Sequence, residues 1–268
     1  MASAPQQQLP LFYQALEPLS SEAHAAFKMR QLTHAKFLVG QHAIPITVDE
    51  FALVQRRMPI VFTEGDDPVP LALMGLNEGV NVFVAADGTL TENEMYIPAY
   101  IRRYPFMLAR LAPGAQELSL CFDPTAEGIG ASEEGQALFE EGQPSPVTKS
   151  ILEFNESFEQ AGARTSQFMR DLKELDLLMP GETTITTDGV EQPFVYRGFQ
   201  IINEEKLNEL RGDQLRKIHK NGMLPMLYAH LFSISLMREI FSRQMQLGLV
   251  PLPQPVVADT AGPAGRLI

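Results

Sequence analysis

One stretch of the chain repeats its apolar residues at helical spacing for longer than any other. Ile151, Leu152, Phe154, Phe158, Ala161, Phe168, Leu172, Leu175 and Leu178 follow a mainly three-and-four rhythm, which sets them along one side of an α-helix. Ser145 is suited to cap that helix, with Pro146 at its first position. Met179-Pro180-Gly181 is expected to stop it, and Gly162 is its weak point. A helix this long must lay its apolar stripe on another layer, and the residues before it read as strands. The expected fold is therefore α+β: a strand-rich N-terminal half with a mixed or antiparallel sheet, then a helical C-terminal half.

Short β-prone runs fill the first block, residues 9–125. They are Lys36–Val39, Pro59–Thr63, Val69–Met74, Val80–Val84 and Glu117–Phe122. Asp87-Gly88 reads as a turn after the fourth. Thr47–Arg57 reads as a helix capped by Thr47, with Asp49 and Glu50 at its positive end and Phe51 and Val54 facing inward. Asp123–Pro146 is dense in Gly, Pro and acidic residues, so it reads as loops around a short helix at Glu134–Glu141. The long helix follows at 145–178. The block 182–247 opens with a hairpin, Thr183–Thr187 and Phe194–Tyr196 around Asp188-Gly189, and a further strand, Gln200–Ile202. Asn203 caps a helix, Asp213–Asn221 is another ended by Gly222, and Met223–Met245 is the last and most apolar. Residues 9–247 are expected to form a single domain, with 1–8 and 250–268 as disordered tails.

The net charge is −12, which weighs against a nucleic-acid surface or an anionic-membrane surface. The best membrane candidate, Met223–Met237, is interrupted by Pro225 and His230; a span needs ~20 apolar residues. Met1–Pro10 is polar, without a secretory pattern, so the expected compartment is the cytoplasm. The single cysteine, Cys121, lies in an apolar run and reads as a buried small side chain. His24, His34, His42, His219 and His230 make no His-x-x-x-His pair, and no Cys-x-x-Cys occurs, so no metal and no cofactor are expected. No glycine-rich phosphate loop and no Gly-x-Ser-x-Gly elbow is present. The adjacent carboxylate pairs, such as Asp66-Asp67 and Glu140-Glu141, read as solvated loops and helix starts. His230 sits among Leu227, Leu231, Phe232 and Ile234 and reads first as a neutral core histidine, second as a functional group tuned near neutral pH.

The densest local chemistry is Tyr96-Ile97-Pro98-Ala99-Tyr100-Ile101-Arg102-Arg103-Tyr104-Pro105-Phe106. Pro98 suits a helix start, and Pro105 pushes Tyr104 out of the helical region. That leaves a turn or two in which Tyr96, Tyr100 and Tyr104 share a side. Arg102 and Arg103 diverge by about 100°, so they should not both serve one ligand. The segment reads either as an amphipathic connector or as a recognition site, with one arginine as a fork for an anion and the tyrosines as rigid contacts.

This segment resembles the hallmark of the bacterial SapC-like family. Glu50-Phe51 ahead of Met58–Phe62, Gly75-Leu76 ahead of Asn81-Val82-Phe83, and Asn221–Ser233 fit the same family. The resemblance spans roughly Leu9–Leu247. The family's tryptophan after the Asp-Gly turn has no counterpart here, where Leu90 stands in that neighbourhood. The resemblance implies an association with surface layers and supplies no catalytic residues. The leading expectation is a non-catalytic accessory or interaction protein, with a protein partner or self-association. The alternative is a small-molecule binding protein or enzyme. In it Tyr100, Arg102 or Arg103, and His230 converge on a pocket, and the candidate ligand- or partner-binding residues are Tyr96, Tyr100, Arg102, Arg103, Tyr104 and His230. A surface-layer component is the third reading.

Overall fold

A computed structural model describes residues 9–92, 94–112, 117–187 and 192–250. Along the chain come β1 (Glu17–Pro18), β2 (Phe27–Met29), β3 (Ala43–Pro45), α1 (Phe51–Val54), β4 (Ile60–Phe62) and β5 (Pro70–Leu73). Next are α2 (Ala99–Arg103), β6 (Phe106–Ala109), β7 (Ser119–Phe122), β8 (Ile129–Ala131), β9 (Gln136–Ala137), β10 (Phe139–Glu140) and β11 (Gln143–Pro144). The long α3 (Pro146–Glu174) precedes β12 (Leu178–Ile185), β13 (Phe194–Ile202), α4 (Glu204–Asn208), α5 (Gly212–Lys220), α6 (Met223–Ile234) and α7 (Met237–Gln246). Every pairing is antiparallel. The strands form a five-stranded sheet in the order β12-β13-β4-β5-β3, two three-stranded sheets, β1-β7-β6 and β8-β2-β9, and the hairpin β10-β11. This is an α+β architecture with a helical C-terminal region.

Strand alternation divides the five-stranded sheet between two cores. Ile60 and Phe62 point into the main core with Ile44, Ala72, Ile202, Leu172 and Leu227. Val61 points the other way, onto Leu73, Phe199 and Met237. The antiparallel neighbours β13 and β4 pair only at Gln200 and Phe62. Just beyond, two N–H groups are met by side chains of α6 instead of a strand. The Ile202 N–H donates to His230 Nε2 at 3.1 Å, and the Ile60 N–H to Ser233 Oγ at 2.9 Å. The helix thus completes the ladder where the strands part.

Several elements depart from expectation. Lys36–Leu38 is a short 3-10 turn, and Val80–Val84 forms no named strand: Val84 bridges Leu90, and the Val82 N–H donates to Met74 O at 2.9 Å. The buried Asn81 explains both. Its amide donates to Leu38 O and Gln41 O at 3.0 Å, and its oxygen accepts from the Phe83 N–H at 2.9 Å. Side-chain bonds stand in for ladder bonds. The Asp87-Gly88 turn forms, with Ala85 N–H on Thr89 O at 2.9 Å. Residues 134–141 hold β9 and β10 rather than a helix, because the chain reverses at Glu141-Gly142, both left-handed.

Ser145 does cap α3, accepting from the Thr148 N–H. Leu152, read as part of the inward stripe, is instead exposed. The helix ends four residues before Leu178. Asp176 turns left-handed at φ 52°, Leu177 N–H returns to Leu172 O, and Asp176 N–H to Lys173 O, each at 3.1 Å. That is a Schellman closure, sealed by Leu172 against Leu177, both fully buried. Met179-Pro180-Gly181 therefore lies in β12, an edge strand, where a missing N–H breaks no central ladder. The expected hairpin is the longer β12–β13, and its Asp188-Gly189 tip lies outside the described residues, as do residues 1–8 and 251–268 of the expected tails. The expected helix Met223–Met245 is two helices. Ser233 and Ser235 donate to His230 O and Phe232 O, and the last turn tightens through Leu236 N–H on Ser233 O. Asn203 caps α4 as expected, through the Lys206 N–H.

Candidate functional site

The signature segment forms α2, with Pro98 at its cap and Tyr104 extended before Pro105. Its anchor is Glu50, a carboxylate buried to 4% exposure. Glu50 Oε2 accepts from the Thr47 N–H and hydroxyl, each at 2.8 Å. Glu50 Oε1 accepts from the Ala99 N–H at 2.6 Å and the Tyr96 hydroxyl at 3.0 Å. Four donors satisfy the charge in place of water. Arg102 closes the chain of bonds, donating to the Tyr96 oxygen at 3.1 Å and to Ile97 O at 3.0 Å. Burial, and next the Glu50 carboxylate, push the Tyr96 hydroxyl up to about 12.

The two arginines part as their spacing predicts. Arg102 is exposed and lies over the Tyr96 and Phe154 rings, 5.5 and 5.0 Å from their centroids. Arg103 is buried between Tyr100 and Phe158, at 4.5 and 4.3 Å, with Glu159 at 3.8 Å. Both guanidiniums fasten α2 to α3 by stacking. Tyr104 leans on Phe37 at 4.5 Å and is met by Phe12 and Tyr13. Burial, and next the Asp123 carboxylate, push its hydroxyl up to about 12.

Beside α2 runs a groove of about 720 Å³. Residues 158, 162, 165, 166, 169, 170, 173 and 174 of α3 form one wall, a single face spanning about 24 Å at 1.5 Å per residue. The other wall is Pro45-Ile46-Thr47 from the edge strand and the loop Asp67-Pro68-Val69-Pro70. Tyr100 and Phe158 close one end. At the other, Lys173 donates to Asp66 O and ties the two walls together. Ile46, Val69, Phe158 and Met169 supply much of the apolar lining. Thr165 and Ser166 spend their hydroxyl protons on Ala161 O and Gly162 O. Arg170 donates to Gln167 Oε1 at 2.7 Å and has no ion-pair partner among the described residues. A Cβ on Gly162 would meet nothing within 4 Å, so the glycine is not required by packing and leaves the groove wider there.

Of the residues singled out from the sequence, Tyr100 reaches this groove and Tyr104 reaches a separate slot. Tyr96, Arg102 and Arg103 hold α2 in place. His230 is apart from them. It is fully buried on α6 with its ring 4.9 Å from Phe62, and burial takes its pKa from 6.5 down to about 3. With Nε2 accepting, the proton sits on Nδ1, and the Ile60 backbone offsets a smaller part of the effect of burial. Sequence reasoning missed Arg170, Met169 and the proline-rich wall. Its only pointer was Gly162, a helix-weakening residue with no capping role.

Among the described residues, no three His, Cys, Asp or Glu side chains gather in a way that could hold a metal ion. No described helix is long and apolar enough to cross a membrane. No curated protein and no solved structure matches the chain. The family model for SapC matches residues 19–240, most of the chain, and the protein belongs to the SapC family.

Proposed function

We propose that this chain is an accessory binding protein, and that the α3 groove holds an elongated apolar molecule with one anionic end. The observation that carries this reading is the groove itself: a largely apolar trough of about 720 Å³ along α3, within the range of small-molecule sites. Three prolines, Pro45, Pro68 and Pro70, line the wall facing α3. Proline has no N–H, so this wall is a poor template for an added peptide strand. An alkyl-like body suits it better. Arg170 offers unspent donors for a carboxylate head.

Calorimetric titration with decanoate tests the reading. Gly162→Phe places a ring in the groove where no atom now stands. Wild type should give saturable binding, weakened at least about tenfold in Gly162→Phe and also weakened in Arg170→Gln. Equal affinity across all three proteins, or no wild-type binding, contradicts it.

A specific observation favours a second reading, a protein partner or self-association. Phe232 on α6 is 65% exposed and stacks on exposed Tyr228 at 5.9 Å. Exposed paired aromatics suit an interface. Sedimentation velocity should then show association that Phe232→Ser abolishes; a monomer at every concentration removes self-association.

A further inference from the structure

The second concavity touched by the signature segment lies apart from the α3 groove. It is a slot of about 250 Å³ lined by Tyr104, Ile97, Phe37, Leu90 and Ala35. The slot shares residues 30–34, Glu127 and Gly128 with a wider polar basin of about 700 Å³. We propose that slot and basin together bind a small aromatic monocarboxylate, its ring between Tyr104 and Leu90 and its carboxylate on Arg30.

The wall that carries the polar groups is built rather than loose. Residues 30–35 have no regular structure, yet both ends are pinned by the backbone. Arg30 N–H donates to Gly128 O at 2.8 Å, and Ala35 N–H to Gly88 O at 2.7 Å. Both glycines approach too closely for a side chain. A Cβ on Gly128 would stand 2.9 Å from Leu32 Cδ2, and one on Gly88 2.8 Å from the Lys36 nitrogen. Both have φ near +90°, at 87° and 89°, where glycine alone is unstrained. The segment is therefore held in shape before any ligand arrives, which lowers the entropy cost of binding.

The polar groups specify the ligand's charge. Lys36 already faces Glu127 at 3.8 Å, and His34 Nδ1 is bonded to Thr33 at 2.7 Å. Arg30 and the Tyr104 hydroxyl have no hydrogen-bond partner among the described residues. Arg30 lines both the slot and the basin, and a guanidinium fork matches one carboxylate. Glu127 and Glu134 also line the basin, and their charge opposes a dianionic phosphate more strongly than a single carboxylate. The slot's apolar lining and size suit a single ring, with Phe37 and Tyr104, packed on each other at 4.5 Å, forming an aromatic wall.

Phenylacetate is the probe, titrated into the full chain by calorimetry, with phenethylamine as the cationic counterpart. Wild type should bind phenylacetate saturably and not phenethylamine. Arg30→Gln, at an exposed position, should weaken phenylacetate roughly tenfold. Ala35→Leu should fill the slot and abolish binding. Gly162→Phe should leave the affinity unchanged, so this site and the α3 groove stand or fall separately. A thermal melt of each variant checks that it is folded. The proposal is overturned if wild type does not saturate, if Arg30→Gln and Ala35→Leu bind as wild type does, or if phenethylamine binds more tightly.

Discussion

At Glu50 a buried carboxylate accepts four hydrogen bonds, two from Thr47, one from Ala99 and one from Tyr96. Glu50→Gln replaces one accepting oxygen with an NH2 group, leaving donors facing a donor. A loss of about 2–3 kcal/mol is expected in chemical denaturation. Tyr96→Phe removes one of the four bonds and should lose about 1 kcal/mol. A loss for Tyr96→Phe as large as that for Glu50→Gln would mean that the carboxylate is not the hub. His230 makes a prediction of opposite kind. Its folded pKa is about 3 against 6.5 unfolded, so below pH 6.5 the unfolded chain binds a proton that the folded chain refuses. Stability should fall as pH drops from about 6.5 toward 3, by up to about 1.4 kcal/mol per unit from this residue. His230→Gln can still accept from the Ile202 N–H and should flatten that part of the profile. An unchanged slope in the variant would show that other groups set it.

Among the elements, α3 was the most legible in sequence and its end the least. Ser145-Pro146 carries capping chemistry in the residues themselves, so the start could be read directly. The stop depends on Asp176 adopting a left-handed conformation usually given to glycine, and the Asp176 carboxylate is ion-paired with Lys206, thirty residues on. No local pattern encodes that partner. Residues 134–141 failed for a similar reason, since a left-handed Glu141 beside Gly142 makes a turn that composition reads as helix. Gly162 ties this element to the site. It lies inside a 29-residue helix and touches nothing a Cβ would disturb. Gly162→Ala should therefore raise stability by about 0.5–1 kcal/mol while narrowing the groove only slightly. A destabilised alanine variant would mean that the glycine is needed for packing.

Across the whole molecule, composition and periodicity were enough for the fold class, and the signature segment for the family. The arrangement of sheets was not accessible, because the five-stranded sheet joins β3 to β13 across most of the chain and completes its broken ladder with His230 and Ser233. The divergence of Arg102 and Arg103 followed from helix geometry alone. That both would stack on α3 did not, since Phe154 and Phe158 reach them only through tertiary packing. The groove was hidden for the same reason: its walls come from residues 45–47, 67–70 and 158–174, separated in sequence and joined by Lys173 on Asp66 O. The central claim is that this trough is where a ligand sits. Its most direct test is methyl NMR of the protein with decanoate. Intermolecular NOEs should connect the alkyl chain to Met169, Ile46 and Val69; contacts confined to Leu32 and Leu90, or to the face of α6, would contradict it.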